Sequence, residues 1–178
     1  MIIFLGTPGS GKSVQGRLLS KTLGCDYISV SELLRTNSDS LNQQKMINGV
    51  LLDDNTAIGV VNRAISNISK GKEFIIDGFP RTLVEAQWIT NRQDVDSIKV
   101  IRIKVNQTEI IERLRLRNRR DDNIVTISNR IDAYEVMIRS IMEEFKSKHV
   151  DECDIDGSTS IESVHNQIMN CIQHKRRT

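Results

Sequence analysis

Apolar and polar positions alternate in blocks along this chain: short β-rich runs are each followed by a longer stretch with apolar residues three and four apart. The runs predict strands at 1–5, 26–29, 73–77, 98–105 and 152–156. The stretches between them predict helices, the clearest being the series Ile124, Ile127, Ile131, Tyr134, Ile138, Ile141 and Phe145. Strand and helix in turn point to a parallel sheet covered by helices on both faces, with ligands gathered beyond the carboxyl ends of the strands. Chemistry is therefore expected in the loops after Leu5, Tyr27 to Ser29, Ile76 and Val105.

Polar residues at the block edges set the helix limits. Asn106 with Glu109 reads as a cap before Ile110, Ile111 and Leu114, and Asp53 or Asp54 as the cap of the helix carrying Ala57, Ile58, Val61, Ile65 and Ile68. Gly49 and Gly71 are expected to stop the helices that precede them. With no internal repeat, no low-complexity segment and only Pro8 and Pro80, no domain linker shows, so one domain over 1–178 is expected.

Composition narrows the class. A chain of 178 residues can bury one sizeable core, and a net charge of +2 is too mild to imply nucleic acid unless the charge is clustered. Cys25, Cys153 and Cys171 are odd in number, far apart and without C-x-x-C spacing, which predicts buried free thiols rather than a disulfide framework or a zinc site. No apolar run approaches membrane-spanning length, and Met1 to Leu5 is too short for a secretion signal. A reducing, cytoplasmic setting is the expectation that follows.

Three constellations carry chemistry. Gly6-Thr7-Pro8-Gly9-Ser10-Gly11-Lys12-Ser13 is a strict G-x-x-x-x-G-K-[ST] match between a strand and a helix. Its glycines let backbone N–H groups converge on a phosphate, the helix adds the positive end of its dipole, and Lys12 can reach the outer phosphates. Phe74 to Thr82 reads as an apolar strand ending in Asp77, then Gly78-Phe79-Pro80 and Arg81 at the mouth of a helix. Asp77 beside a phosphate loop suits Mg²⁺ held through water, and the Arg81 fork suits phosphate oxygens. The third is Arg113, Arg115, Arg117, Arg119 and Arg120, followed by Asp121, Asp122 and Arg130. On a helix from about Gln107, Arg113 and Arg117 share a face while Arg115 points elsewhere, and no aromatic residues stand nearby for base stacking.

Taken in order, these segments resemble the nucleoside monophosphate kinase family, adenylate kinases most of all. The resemblance runs from the loop Gly6 to Gln15 through Ile28 to Arg35, Gly49 to Asp54, Asp77 to Thr82 and Arg113 to Arg130, and on to Asp156-Gly157. It implies a three-layer α/β fold of the phosphate-loop (P-loop) NTPase type, a five-stranded parallel sheet with helices on both faces. The core would be 1–29, 58–111 and 123–178, with a monophosphate-binding insert at 30–57 and a very short lid at 112–122 that has Asp121 and Asp122 as hinge and ion-pair residues. It also implies transfer of the terminal phosphoryl group of ATP to a nucleoside monophosphate, AMP first, with Mg²⁺, in a cytoplasmic monomer that needs neither nucleic acid nor membrane.

The resemblance assigns roles residue by residue. Gly9, Ser10, Gly11, Lys12, Ser13, Val14, Arg117, Gly157 and Thr159 fall to ATP, and Ser13 and, through water, Asp77 to the metal. Val30, Arg35, Val50, Leu51, Leu52, Gly78, Phe79, Pro80, Arg81, Glu85, Arg119 and Arg130 fall to the monophosphate. Lys12, Arg81, Arg113, Arg117, Arg119 and Arg130 form the catalytic set, with Arg113 near the ATP base.

Some positions depart from the family pattern. Ser13-Val14 stands for Gly-Thr, Val30 for Thr, Ser31-Glu32 for Gly-Asp, and Glu85 for the Gln that reads the AMP base. An ionised Glu85 would only accept, favouring a base edge rich in N–H donors, yet Thr82 to Glu85 also spells a capping box. Both readings of Glu85 stay open, as do CMP, UMP or GMP as acceptor, nucleotide binding without turnover, and RNA binding through Arg113 to Arg120.

Overall fold

β1 (Ile2–Leu5) is buried over its whole length, and its period of two divides the core. Ile3 and Leu5 enter one apolar layer, Ile2 and Phe4 the other. In the computed structural model, which describes residues 1–37, 40–48, 50–93, 95, 97–117 and 124–174, this strand is the middle of a parallel sheet of five in the order β2-β3-β1-β4-β5. The others are β2 (Asp26–Ser29), β3 (Phe74–Asp77), β4 (Lys99–Lys104) and β5 (Asp151–Asp156), each within a residue or two of its predicted limits.

The helices are α1 (Lys12–Leu23), α2 (Val30–Asn37), α3 (Ser40–Ile47), α4 (Asp54–Ser66), α5 (Leu83–Thr90), α6 (Gln107–Arg117), α7 (Ile124–Ser147) and α8 (Ile161–His174). α1 and α8 cover one face, where Leu19, Val164, Ile168 and Ile172 meet Ile2, Phe4 and Ile75. α4, α5 and α7 cover the other, bringing Val61, Ile65, Ala86, Ile89, Ile141 and Phe145 onto Ile3 and Ile76. A smaller cluster of Ile110, Leu114, Ile127 and Ile131 ties α6 to α7.

The caps follow the sequence. The Asp53 carboxylate accepts the Thr56 N–H at 2.9 Å, and the Asn106 side chain accepts that of Glu109 at 2.9 Å. Two expectations are corrected. α4 stops at Ser66 with Asn67 as its C-cap, five residues before Gly71, because local carbonyls of Ala64 and Ile65 already take the Asn67 N–H; Gly49 lies outside the described residues. Cys153 and Cys171 are joined as a disulfide, their Cα atoms 6.5 Å apart, and only Cys25 is free. The pairing follows from α8 folding back on β5, a tertiary neighbour relation that cysteine spacing does not encode.

Register then sets the chemistry. Phe4 pairs with Asp77, and Ser29 pairs with Asp77 from the other side. The loop after β1, the end of β2 and the Asp77 carboxylate therefore leave the sheet at one level of its carboxyl edge.

Candidate active site

The loop between β1 and α1 can only be made of these residues. Gly11 precedes α1 with φ 94°, and a Cβ on Gly6 (φ 149°) would lie 2.6 Å from the Ile103 carbonyl oxygen. Curled this way, the loop accepts its own lysine: Lys12 Nζ donates to the Gly6 and Thr7 carbonyls at 2.6 and 2.7 Å. One turn into the site, Ser13 Oγ donates to Asp77 Oδ2 at 2.5 Å, and the Tyr27 hydroxyl donates to the same oxygen at 2.7 Å. Burial and the neighbouring Asp77 charge raise the Tyr27 pKa, so this phenol is a donor.

A cavity of about 650 Å³ opens above the carboxyl edge of the sheet. Lys12 and Ser13 from α1, Arg35 from α2, Asp77 and Arg81 around β3, Arg113 from α6 and Arg130 from α7 all line it. So do Gly9, Ser10, Gly11, Val14, Val50, Leu51, Gly78, Phe79, Pro80, Gly157 and Thr159. Five separate stretches of chain thus bring cations to one cleft, an arrangement able to hold a chain of phosphates.

Each cation is aimed by its neighbours. Arg81 is half-buried, its Nε donates to the Gly78 carbonyl at 2.7 Å, and desolvation lowers its pKa although Glu85 and Asp77 oppose this. Arg35 donates to Ser31 Oγ at 3.4 Å, one turn back along α2. Arg130 donates to the Met46 carbonyl at 3.0 Å, spanning from α7 to α3. Arg113 binds Glu109 at 2.5 Å and the Gly157 carbonyl at 2.7 Å, so it fixes the loop after β5 against α6. That loop packs tightly, since a Cβ on Gly157 would meet the Ile103 and Val105 side chains, and the Gly157 N–H donates to the Lys104 carbonyl at 2.8 Å. Arg115 is exposed, as the helical spacing predicts.

Val30, Leu52 and Glu85 stand apart from the main cavity. They line a small pocket of about 10 Å³ that shares Leu51, Gly78, Phe79 and Arg81 with it. Glu85 completes the predicted cap: Thr82 Oγ1 accepts the Glu85 N–H at 3.2 Å, and the carboxylate reaches back to the Arg81 N–H at 2.6 Å. Burial pushes its pKa up to about 7, against the pull of that N–H and of the Arg81 charge. Trp88 is half-buried at the margin of the core, packed on Phe79 edge to face at 5.9 Å.

Arg119, Asp121 and Asp122 lie outside the described residues, as does the side chain of Arg117. Sequence reasoning missed Tyr27, whose hydroxyl no motif announces. It also missed Gln15, which lines the cavity, is buried and donates from Nε2 to the Ile161 carbonyl at 2.8 Å while its Oε1 has no partner. For a cation, the described residues hold no cluster of three His, Cys, Asp or Glu. A hydroxyl and a carboxylate beside a phosphate loop form an all-oxygen donor pair that fits Mg²⁺, an ion completed by water and substrate phosphates.

Strand order, loop and cation-lined cleft together define a P-loop phosphotransferase fold. A family profile described as adenylate kinase matches residues 4–150. Curated adenylate kinases of Prochlorococcus marinus and Azobacteroides pseudotrichonymphae are 32% and 31% identical to this chain, covering 97% and 95% of it and 96% and 95% of their own lengths. That of Parabacteroides distasonis is 28% identical with 97% of each chain covered. The chain belongs to the adenylate kinase family.

Proposed function

We propose that this protein catalyses reversible transfer of the terminal phosphoryl group of ATP to a nucleoside monophosphate, AMP before other acceptors, giving two molecules of ADP. The observation that carries the reading is the convergence of Lys12, Arg35, Arg81 and Arg130 on one cleft, with the Gly157 loop at one side and Val50 and Leu51 at another. ATP is assigned to the phosphate loop, Ser13, Val14, Gly157 and Thr159, and the monophosphate to Arg35, Arg81, Val50 and Leu51, with Val30, Leu52 and Glu85 behind its base. Arg117 is assigned to ATP, and Arg119 with Arg130 to the phosphates being exchanged. The segment 30–57 serves as the acceptor-binding insert and 112–122 as the lid.

The acceptor is an ionised phosphate oxygen, so the protein need not remove a proton. Its work is to hold donor and acceptor in line and to neutralise charge spreading over the transferred group. Lys12 and the loop amides do so at the donor, and Arg81, Arg35 and Arg130 at the acceptor. Mg²⁺, which Ser13 and, through water, Asp77 would hold, would supply further charge neutralisation across the phosphates of ATP. Closure of the cleft excludes water, which would otherwise compete as an acceptor.

The capping geometry supports AMP over an acceptor chosen by Glu85, since the carboxyl is occupied at the helix start, where it accepts the Arg81 N–H. A cytoplasmic location and a monomeric state are carried over from the family resemblance alone. Among the described residues no helix is long and apolar enough to cross a membrane; the cysteine argument for a reducing compartment no longer contributes. The test is a panel of AMP, CMP, UMP and GMP with Mg·ATP, with diphosphate production measured. AMP is expected to give the highest kcat/KM; no diphosphate from any acceptor would overturn the reading.

A further inference from the structure

Gly16 sits inside α1, where glycine costs about 1 kcal/mol relative to alanine. Its backbone is regular helix, so no turn requires it. Space does: a Cβ there would lie 2.6 Å from Cε2 and 3.3 Å from Cδ2 of Tyr27. The Tyr27 ring crosses α1 where a methyl group would stand. The Arg17 guanidinium lies 4.8 Å from the ring centroid and braces it further.

The sheet register explains where the hydroxyl goes. Tyr27 pairs with Ile75 and Ser29 with Asp77, so Tyr27 and Asp77 are diagonal neighbours on one face, a separation a long aromatic side chain can span. Both hydroxyls, from Ser13 and Tyr27, meet Oδ2 of Asp77, and neither uses Oδ1. They differ in what else they can do. Ser13 stands at the phosphate loop, so its single hydroxyl is shared between the carboxylate and any cation held there. Tyr27 lies outside the donor set, so its bond is the anchor that does not depend on the cation.

We infer that Tyr27 is a positioning residue for Asp77, fixing the carboxylate that faces the metal of Mg·ATP, and that Gly16 is the opening that admits its ring. This rests on the ATP–Mg²⁺ reading of the cleft, and the experiment separates the two. Tyr27→Phe keeps the ring packed and removes one oxygen. ATP binding is measured calorimetrically for both proteins, once with excess chelator and once with Mg²⁺.

In chelator the two affinities are expected to agree within about twofold. The gain in affinity that Mg²⁺ confers is expected to fall about fivefold in the variant, the worth of one hydrogen bond of ordinary strength. A role confined to packing would move both affinities together or neither. Gly16→Ala, which displaces the ring, should reproduce the metal-linked loss and add nothing to it in the Tyr27→Phe background.

An unchanged Mg²⁺-linked gain in Tyr27→Phe, or losses that add in the double variant, would overturn the role of Tyr27 and leave the kinase reading standing. A wild-type chain whose ATP affinity does not respond to Mg²⁺ would instead sink the metal reading of Asp77 and the inference with it.

Discussion

Replacing Glu85 with glutamine tests the electrostatics at the start of α5. The residue is 2% exposed, and burial raises its pKa to about 7, against an ordinary 4.5. The unfolded chain ionises this group near the ordinary value, while the folded chain keeps the proton up to about pH 7. Between those limits the folded state binds more protons, so its stability falls as pH rises. The shift amounts to about 3 kcal/mol, fully present below the unfolded pKa and lost once pH has passed the folded one.

Glutamine keeps an oxygen for the Arg81 N–H and has no charge to bury. Its amide nitrogen carries a desolvation cost of about 1–3 kcal/mol, but that cost is the same at every pH. The readout is therefore a slope. Urea unfolding at acid and alkaline pH should show the wild type losing about 2–3 kcal/mol more than Glu85→Gln between about pH 5 and pH 8. In a chain of this size that is about 4–12 °C of melting temperature. Parallel pH profiles would refute the reasoning, since they would mean that the carboxyl is hydrated or that its charge is fully compensated.

Two further outcomes follow from the site and the fold. Lys12→Ala should lower kcat about a hundredfold or more while leaving the melting temperature within a few degrees, because Nζ bonds the Gly6 and Thr7 carbonyls and Ser10 Oγ, groups of its own loop and not of the core; turnover near wild type would count against the phosphate reading. Cys171→Ser should cost about 3 kcal/mol in urea unfolding under oxidising conditions and nothing under reduction, because the bond closes a loop between residues 18 apart; equal stabilities when oxidised would contradict the pairing.

Much of this was legible before any coordinates. The P-loop match located Gly9 to Ser13, and the strand ending in Asp77 placed a carboxylate beside it, because a parallel sheet aligns the ends of β1 and β3. The alternation of short β-rich runs with longer helical stretches foretold a parallel sheet covered on both faces. Thr82 and Glu85 were legible as a cap because that signal is local.

What escaped was long-range. Nothing near Tyr27 or Gly16 in the sequence says that one makes room for the other, or that both serve a carboxylate in a strand that the sequence does not place beside them. The Cys153–Cys171 pair is of the same kind, set by α8 lying on β5. Arg113 was legible as part of a basic cluster, but not its grip on the Gly157 carbonyl, which depends on where the loop after β5 comes to rest.

Because β2 and β3 are neighbours, the chain that leaves the sheet at Ser29 rejoins it at Phe74, after α2, α3 and α4, beside the strand it left. The first part of that connection, from Val30 to Asp53, carries Arg35, Val50 and Leu51 to the cleft, and we propose that it is an interchangeable module. Grafting a relative's version between Ser29 and Asp54 would alter acceptor preference while the donor half stays as it is.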